Sequence, residues 1–238
     1  MSYTEYIAAS AILIVSLIIT VVAQLKVQST YAKYSKKETK CGLTGAELAN
    51  KIVDAANLQV RVNTINGNLT DNYNSHDKTL NISRPNYNSS SVSALGVVAH
   101  ECGHALQDAK NYAPLKIRQF VVRATNVISN FLLPLLIIGV IFNFMYIGGI
   151  TGQVFIWSAV GFYGVSVIAN LVTLPVEINA SNRALKMLKG FEVMDGGELA
   201  GAREVLSAAA LTYLASLLVS FAFFLRFLLI ALSFTNRR

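Results

Sequence analysis

His100-Glu101-Cys102-Gly103-His104 takes up two of the chain's three histidines and sets them four positions apart around a glutamate. On an α-helix, side chains at i and i+4 lie on one face a turn apart, so both imidazoles can reach one Zn²⁺. Glu101 then projects beside them toward the water that such an ion activates. This is metallohydrolase chemistry. The plainer reading, an amphipathic helix with polar residues near its end, does not account for two imidazoles one turn apart with a glutamate between them.

A catalytic zinc usually has three protein ligands and an open position, so one more donor is needed. The remaining nitrogen and sulfur donors are His76, Cys41 and Cys102. His76 is the better ligand chemically but lies in the polar loop 71–77, where a solvated histidine is the ordinary outcome. Among the carboxylates Glu177 stands out, just after an apolar run. Pro175 there can open a new helix or kink a continuing one, and in a new helix Glu177 falls in the first turn. Glu177, Ser181 and Ala184 would share a face, with Ile178 and Leu185 packing beside it. A glutamate capping a helix at the membrane interface fits the spacing equally well.

The elements that must hold these residues can be read locally. Residues 93–109 form a helix started by the serines of 86–91, and Gly103 within it implies close approach of another backbone. A short helix over 43–53 has Thr44 as its N-cap. Residues 60–65 and 78–83 alternate like strands, and Asn66-Gly67 is a turn signal. A small sheet beside the histidine helix matters because an exposed edge strand can hold an extended peptide by main-chain pairing.

The 238 residues are 53% hydrophobic and 14% charged, too apolar for an ordinary soluble domain. Four apolar runs, about 7–25, 127–149, 154–174 and 206–233, each approach the length needed to cross a bilayer. The fold class expected is therefore a mainly α, multi-pass membrane protein: about four transmembrane helices, the H-E-x-x-H helix and a small β-sheet. The chain forms one membrane-integrated unit whose catalytic part is 42–126 plus 175–205. Arg226 interrupts the last run, which places the end of that span near Leu225, with the guanidinium reaching to the interface.

No Lys or Arg precedes the first run, whereas Lys26, Lys33, Lys36, Lys37 and Lys40 follow it. The positive-inside rule puts the N-terminus outside and the catalytic part in the cytoplasm, although Arg237 and Arg238 then lie outside. The net charge of +7 is spent flanking the apolar runs. It implies a lipid-bilayer partner and no nucleic acid. Cys41 and Cys102 share the reducing side, so no disulfide is expected, and Cys102 points away from the metal as a small buried residue.

Ala99 to Gln107 reads A-H-E-x-G-H-A-x-Q, and Pro175 to Ala184 reads P-V-E-x-x-A-S-x-R-A. Together with T-G-A-E at Thr44 and L-T-D-x-Y at Leu69, these resemble the YugP-type bacterial zinc metallopeptidases over most of the chain. More distantly the chain is similar to HtpX-type membrane proteases. The resemblance implies a gluzincin-like membrane metallopeptidase with one Zn²⁺ per chain on His100, His104 and Glu177, Glu101 as general base, and a protein or peptide substrate. It departs from those patterns at two places. Ser181 stands where the HtpX-type proteins have an Asp, so any support for a zinc histidine falls to a hydroxyl or to a residue elsewhere, and D-H-Y-D reads Asp71-Asn72-Tyr73-Asn74. Arg183 and Tyr73 are the candidates to stabilise a developing oxyanion.

Two rivals remain at this point. A site-2-type intramembrane protease would take Asp195, of Asp195-Gly196, as third ligand, but Asp195 sits in a polar stretch. A catalytically silent membrane scaffold would bind no zinc.

Overall fold

The computed structural model describes residues 3–144 and 149–235. In chain order these form α1 (Tyr3–Tyr34), α2 (Gly45–Ala55), β1 (Arg61–Ile65), β2 (Asn72–Asn74), β3 (Thr79–Ser83) and α3 (Arg84–Tyr87). The remaining helices are α4 (Val92–Ala109), α5 (Ala113–Phe144), α6 (Gly149–Gly190) and α7 (Gly196–Thr235). The chain divides into two compact units, 23–116 with 175–211, and 1–22 with 117–174 and 212–238.

Local chemistry sets the smaller elements of the first unit. Thr44 caps α2: its hydroxyl accepts the Glu47 N–H while the Glu47 carboxylate accepts the Thr44 N–H at 2.8 Å, a reciprocal capping box. Ser91 caps α4, accepting the Ala94 N–H at 3.3 Å. The sheet runs β1-β3-β2, with β1 parallel and β2 antiparallel to β3. β1 and β3 lie where alternation places them. The turn at Asn66-Gly67, where Gly67 has φ 110°, carries the chain past β3 to its far edge. β2 is absent from the sequence expectation because Asn-Tyr-Asn has little β preference.

The core of this unit joins the central strand to four helices. Leu80 and Ile82 of β3 pack in one cluster with Leu48 and Ile52 of α2 and with Leu95, Val98 and Cys102 of α4. Leu188 of α6 and Ala202 of α7 complete it. Two charged clusters fasten the edges. Glu204 accepts from the Tyr34 hydroxyl at 2.6 Å and pairs with Lys33 at 3.1 Å, and Asp195 pairs with Lys40 at 2.7 Å.

In the other unit Tyr163 stacks on Phe223 and Phe227, with centroids 5.2 and 5.1 Å apart, and Asn170 donates to Ser220. On α1, Ile12, Ile14, Val15, Ile18, Val21 and Val22 are exposed, the pattern of side chains that meet hydrocarbon. Three segments among the described residues are long and apolar enough to cross a membrane: Ser10–Tyr34, Val154–Gly190 and Gly196–Leu232. The expected run 127–149 falls partly on the second half of α5 and partly on 145–148, which lie outside the described residues.

Two expectations are corrected. Pro175 opens no new helix; it is interior to α6, so Glu177 lies mid-helix and not in a first turn. Loss of one N–H is tolerated because the α6 ladder continues on both sides of it. Likewise Ile178 is exposed instead of packing beside Glu177, while α7 continues as helix through Arg226 to Thr235.

Candidate metal centre

α4 presents His100 and His104 one turn apart, their rings edge to face with centroids 4.8 Å apart. Gly103 decides what faces them. A Cβ at that position would stand 2.6 Å from the Ala180 carbonyl oxygen, so α6 crosses α4 with its backbone in the space a side chain would fill. The crossing delivers Glu177, one turn before Ala180 and Ser181. Its Oε2 lies 3.1 Å from His100 Nε2 and 3.4 Å from His104 Nε2.

The ligating atoms of His100, His104 and Glu177 all fall within 4.8 Å of one another. Glu177 is 2% exposed. A carboxylate this buried needs a compensating cation or proton, and two nitrogens plus one oxygen converging on a point match a zinc set with a free fourth position. The residues therefore fit the ion. Burial alone would push His104 down, but the hydrogen bond to Glu177 and the charges of Glu101 and Glu177 hold it above the ordinary histidine value.

Both imidazoles are oriented from behind. Gln107, fully buried, donates its amide N–H groups to the Val176 carbonyl at 2.8 Å and to Asn179 Oδ1 at 3.0 Å. Its oxygen, 2.9 Å from His104 Nδ1, is left only to accept, which fixes the proton on Nδ1 and frees Nε2 for metal. Ser181 Oγ stands 3.1 Å from His100 Nδ1, the hydroxyl being one of the supports the sequence left open.

Glu101 follows His100 on α4, and its Oε2 accepts the backbone N–H of Tyr73 in β2 at 2.9 Å. Burial pushes its carboxyl up, with the neighbouring Glu177 and Asp71 adding to the shift and the two histidines opposing it. That direction suits a proton acceptor working near neutrality.

The two oxyanion candidates have other partners. The Tyr73 hydroxyl donates to Asp108 at 2.6 Å, and burial with that neighbour raises its pKa. Arg183 donates to Asn179 at 2.7 Å and lies over the Tyr112 ring. His76 is exposed beside Asp77. Asp195 pairs with Lys40 and accepts the Glu198 N–H at the start of α7, so it is outside the cluster. Cys102 is buried and Cys41 exposed, both as free thiols. The sequence reading assigned nothing to Gln107, Asn179 or the Tyr73 amide. Only Gln107 left a signal, by standing three residues after His104 on the same helix face.

A helix-borne His/His/Glu cluster with a glutamate beside it and membrane-length helices defines a class, the membrane zinc peptidases. Residues 9–232 match the family described as "Putative neutral zinc metallopeptidase", and the chain belongs to that family. It is 40% identical over 212 residues, 89% of this chain and 91% of the relative, to a Bacillus subtilis (strain 168) protein named "Putative membrane protease YugP". No solved structure matches.

Proposed function

We propose that the chain is a multi-pass membrane metalloendopeptidase that holds one Zn²⁺ through His100, His104 and Glu177 and uses Glu101 as general base. The observation that carries this reading is the convergence of those three side chains, within 4.8 Å, beside a carboxylate of raised pKa. Zinc in such a site supplies Lewis acidity, making water a better nucleophile and a carbonyl a better electrophile. Glu101 takes the proton from the attacking water and hands it to the leaving amine. Gln107 and Ser181 keep both imidazoles aimed while this happens.

The substrate is a protein or peptide laid along an edge of the sheet. β2 is an edge strand, and its Tyr73 amide already points at Glu101. Spans at 7–25, 127–149, 154–174 and 206–233 place residues 42–126 and 175–205 in the cytoplasm, as the basic residues after the first span require.

The test is zinc content and peptidase activity of detergent-purified protein, wild type against Glu101→Gln. Stoichiometric zinc in both with activity only in the wild type supports the reading. Metal-free wild type that is normally folded overturns it.

A further inference from the structure

Glu101 receives the Tyr73 N–H, and that amide belongs to a strand with little of its own to hold it in place. β2 is three residues long, Asn-Tyr-Asn, and lies at an edge of the sheet. The chain enters it through Leu69, whose φ of 54° is in the left-handed region, a conformation that a bulky side chain keeps only where its surroundings over-determine it. Something fixed must grip the start of the strand.

Asp71 supplies that grip. Its Oδ1 accepts the Ser83 N–H at 2.9 Å, and its Oδ2 accepts the Ser83 hydroxyl and the Asn86 side-chain amide, each at 2.8 Å. Ser83 ends β3, so a side chain extends the pairing of β2 with β3 beyond its last register pair, Asn72 with Asn81. Asn86 is held in turn. It is fully buried, its backbone carbonyl lies so close to α2 that a Cβ on Gly45 would overlap it, and its side-chain oxygen accepts the Tyr31 hydroxyl of α1. Because a carboxylate can only accept, the Asn86 NH₂ is turned to Asp71 and its oxygen to Tyr31.

We infer that Asp71 is a positioning residue: it holds β2 in register so that the Tyr73 N–H, and any peptide paired to that strand, meets Glu101, and Asn86 and Tyr31 tie this clamp to α1. None of the hydrogen bonds of Asp71 goes to His100, His104 or Glu177, so its replacement leaves the metal-binding side chains in place. The catalytic part of this inference rests on the peptidase reading; the clamp does not.

The experiment compares full-length wild type, Asp71→Asn, Asn86→Asp and the exchange Asp71→Asn/Asn86→Asp in detergent, by hydrogen exchange at the Tyr73 amide, zinc content and peptide turnover. Asp71→Asn sets amide against amide and Asn86→Asp carboxylate against carboxylate, whereas the exchange puts a donor opposite an acceptor again. Each single variant should speed exchange at Tyr73 at least about tenfold and lower kcat about 10- to 100-fold with zinc retained. The double exchange should recover most of both. Asp77→Asn, which removes a carboxylate bonded to Asn74 and His76 beyond the other end of β2, should change neither. Should the single variants fold poorly, Tyr31→Phe removes only the far hydroxyl and should speed exchange at the same amide about three- to tenfold. Unchanged exchange at Tyr73 in Asp71→Asn, deprotection spread equally through β3 and α4, or a double exchange no better than the single variants overturns the inference. A wild type without turnover faults the peptidase reading instead, and exchange at Tyr73 still decides the clamp.

Discussion

His104 illustrates how much a single donor depends on what stands behind it. Its Nε2 is left facing Glu177 because Nδ1–H donates to the Gln107 oxygen, and it is the oxygen that faces Nδ1 because the Gln107 amide hydrogens are committed to α6. Gln107→Leu should therefore cost about 10- to 100-fold in zinc affinity, measured by chelator competition. A variant that binds zinc as tightly as wild type would reduce Gln107 to packing. Among the proposed ligands, His100→Ala, His104→Ala and Glu177→Ala should each remove most of the metal, whereas the exposed His76→Ala should do little. Glu101→Gln should keep zinc and lose at least about 100-fold in turnover, the usual contribution of a general base. A loss under tenfold would remove it from that role.

At the level of elements, the crossing of α4 and α6 is set by one absent side chain. A Cβ on Gly103 meets backbone at 2.6 Å, which neither helix can relieve by a rotamer change, while one on Gly96 meets the Ala202 Cβ at 3.6 Å, an ordinary contact. Gly103→Ala should destabilise by about 1–3 kcal/mol and lower zinc occupancy together. Gly96→Ala should be neutral or gain up to about 1 kcal/mol from helix propensity. Thermal unfolding with metal analysis on both variants checks the pair. The start of α7 gives a pH test. Lys40 and the backbone at Glu198 and Gly197 hold Asp195 down to about 2, from an ordinary 3.8. A depressed carboxylate stabilises above its unfolded value and loses that contribution as pH falls through its folded one. The melting gap between wild type and Asp195→Asn should thus be present above 3.8 and close toward about 2. A gap that does not change with pH would mean that the cap works without the charge.

These elements also show what the sequence could tell. The Thr44 cap, the close approach at Gly103 and the exposure of His76 were readable because each depends on residues close together in the chain. The parallel pairing of β1 with β3 was not, since alternation marks a strand but not its partner. Nor was α6 continuing through Pro175, because proline is compatible with either a start or a kink.

For the whole molecule, the bilayer is the organising solvent, and the proposed sidedness rests on where lysines and arginines were left. In a Cys41→Ser background, which removes the exposed native thiol, an impermeant thiol reagent applied to intact cells should miss a cysteine at position 90 and label one at position 151. The reverse result would place the metal cluster outside the cytoplasm. Composition revealed the membrane-length runs at once. Their ends stayed hidden, because helices α1 and α7 continue past the apolar residues into segments held by Glu204, Lys33 and Tyr34.

The hydrogen bond from the Tyr73 amide to Glu101 makes the proposed base its own competitor. An edge-strand N–H satisfied by the carboxylate is unavailable to a substrate, and a carboxylate holding that N–H is a weaker proton acceptor. A peptide whose carbonyl takes over the Tyr73 N–H removes both handicaps at once. Occupancy of the strand edge and readiness of the base are then one event. Substrates long enough to pair with β2 should gain in kcat and not only in KM, and a series of peptides extended one residue at a time would reveal a step at the length that first reaches Tyr73.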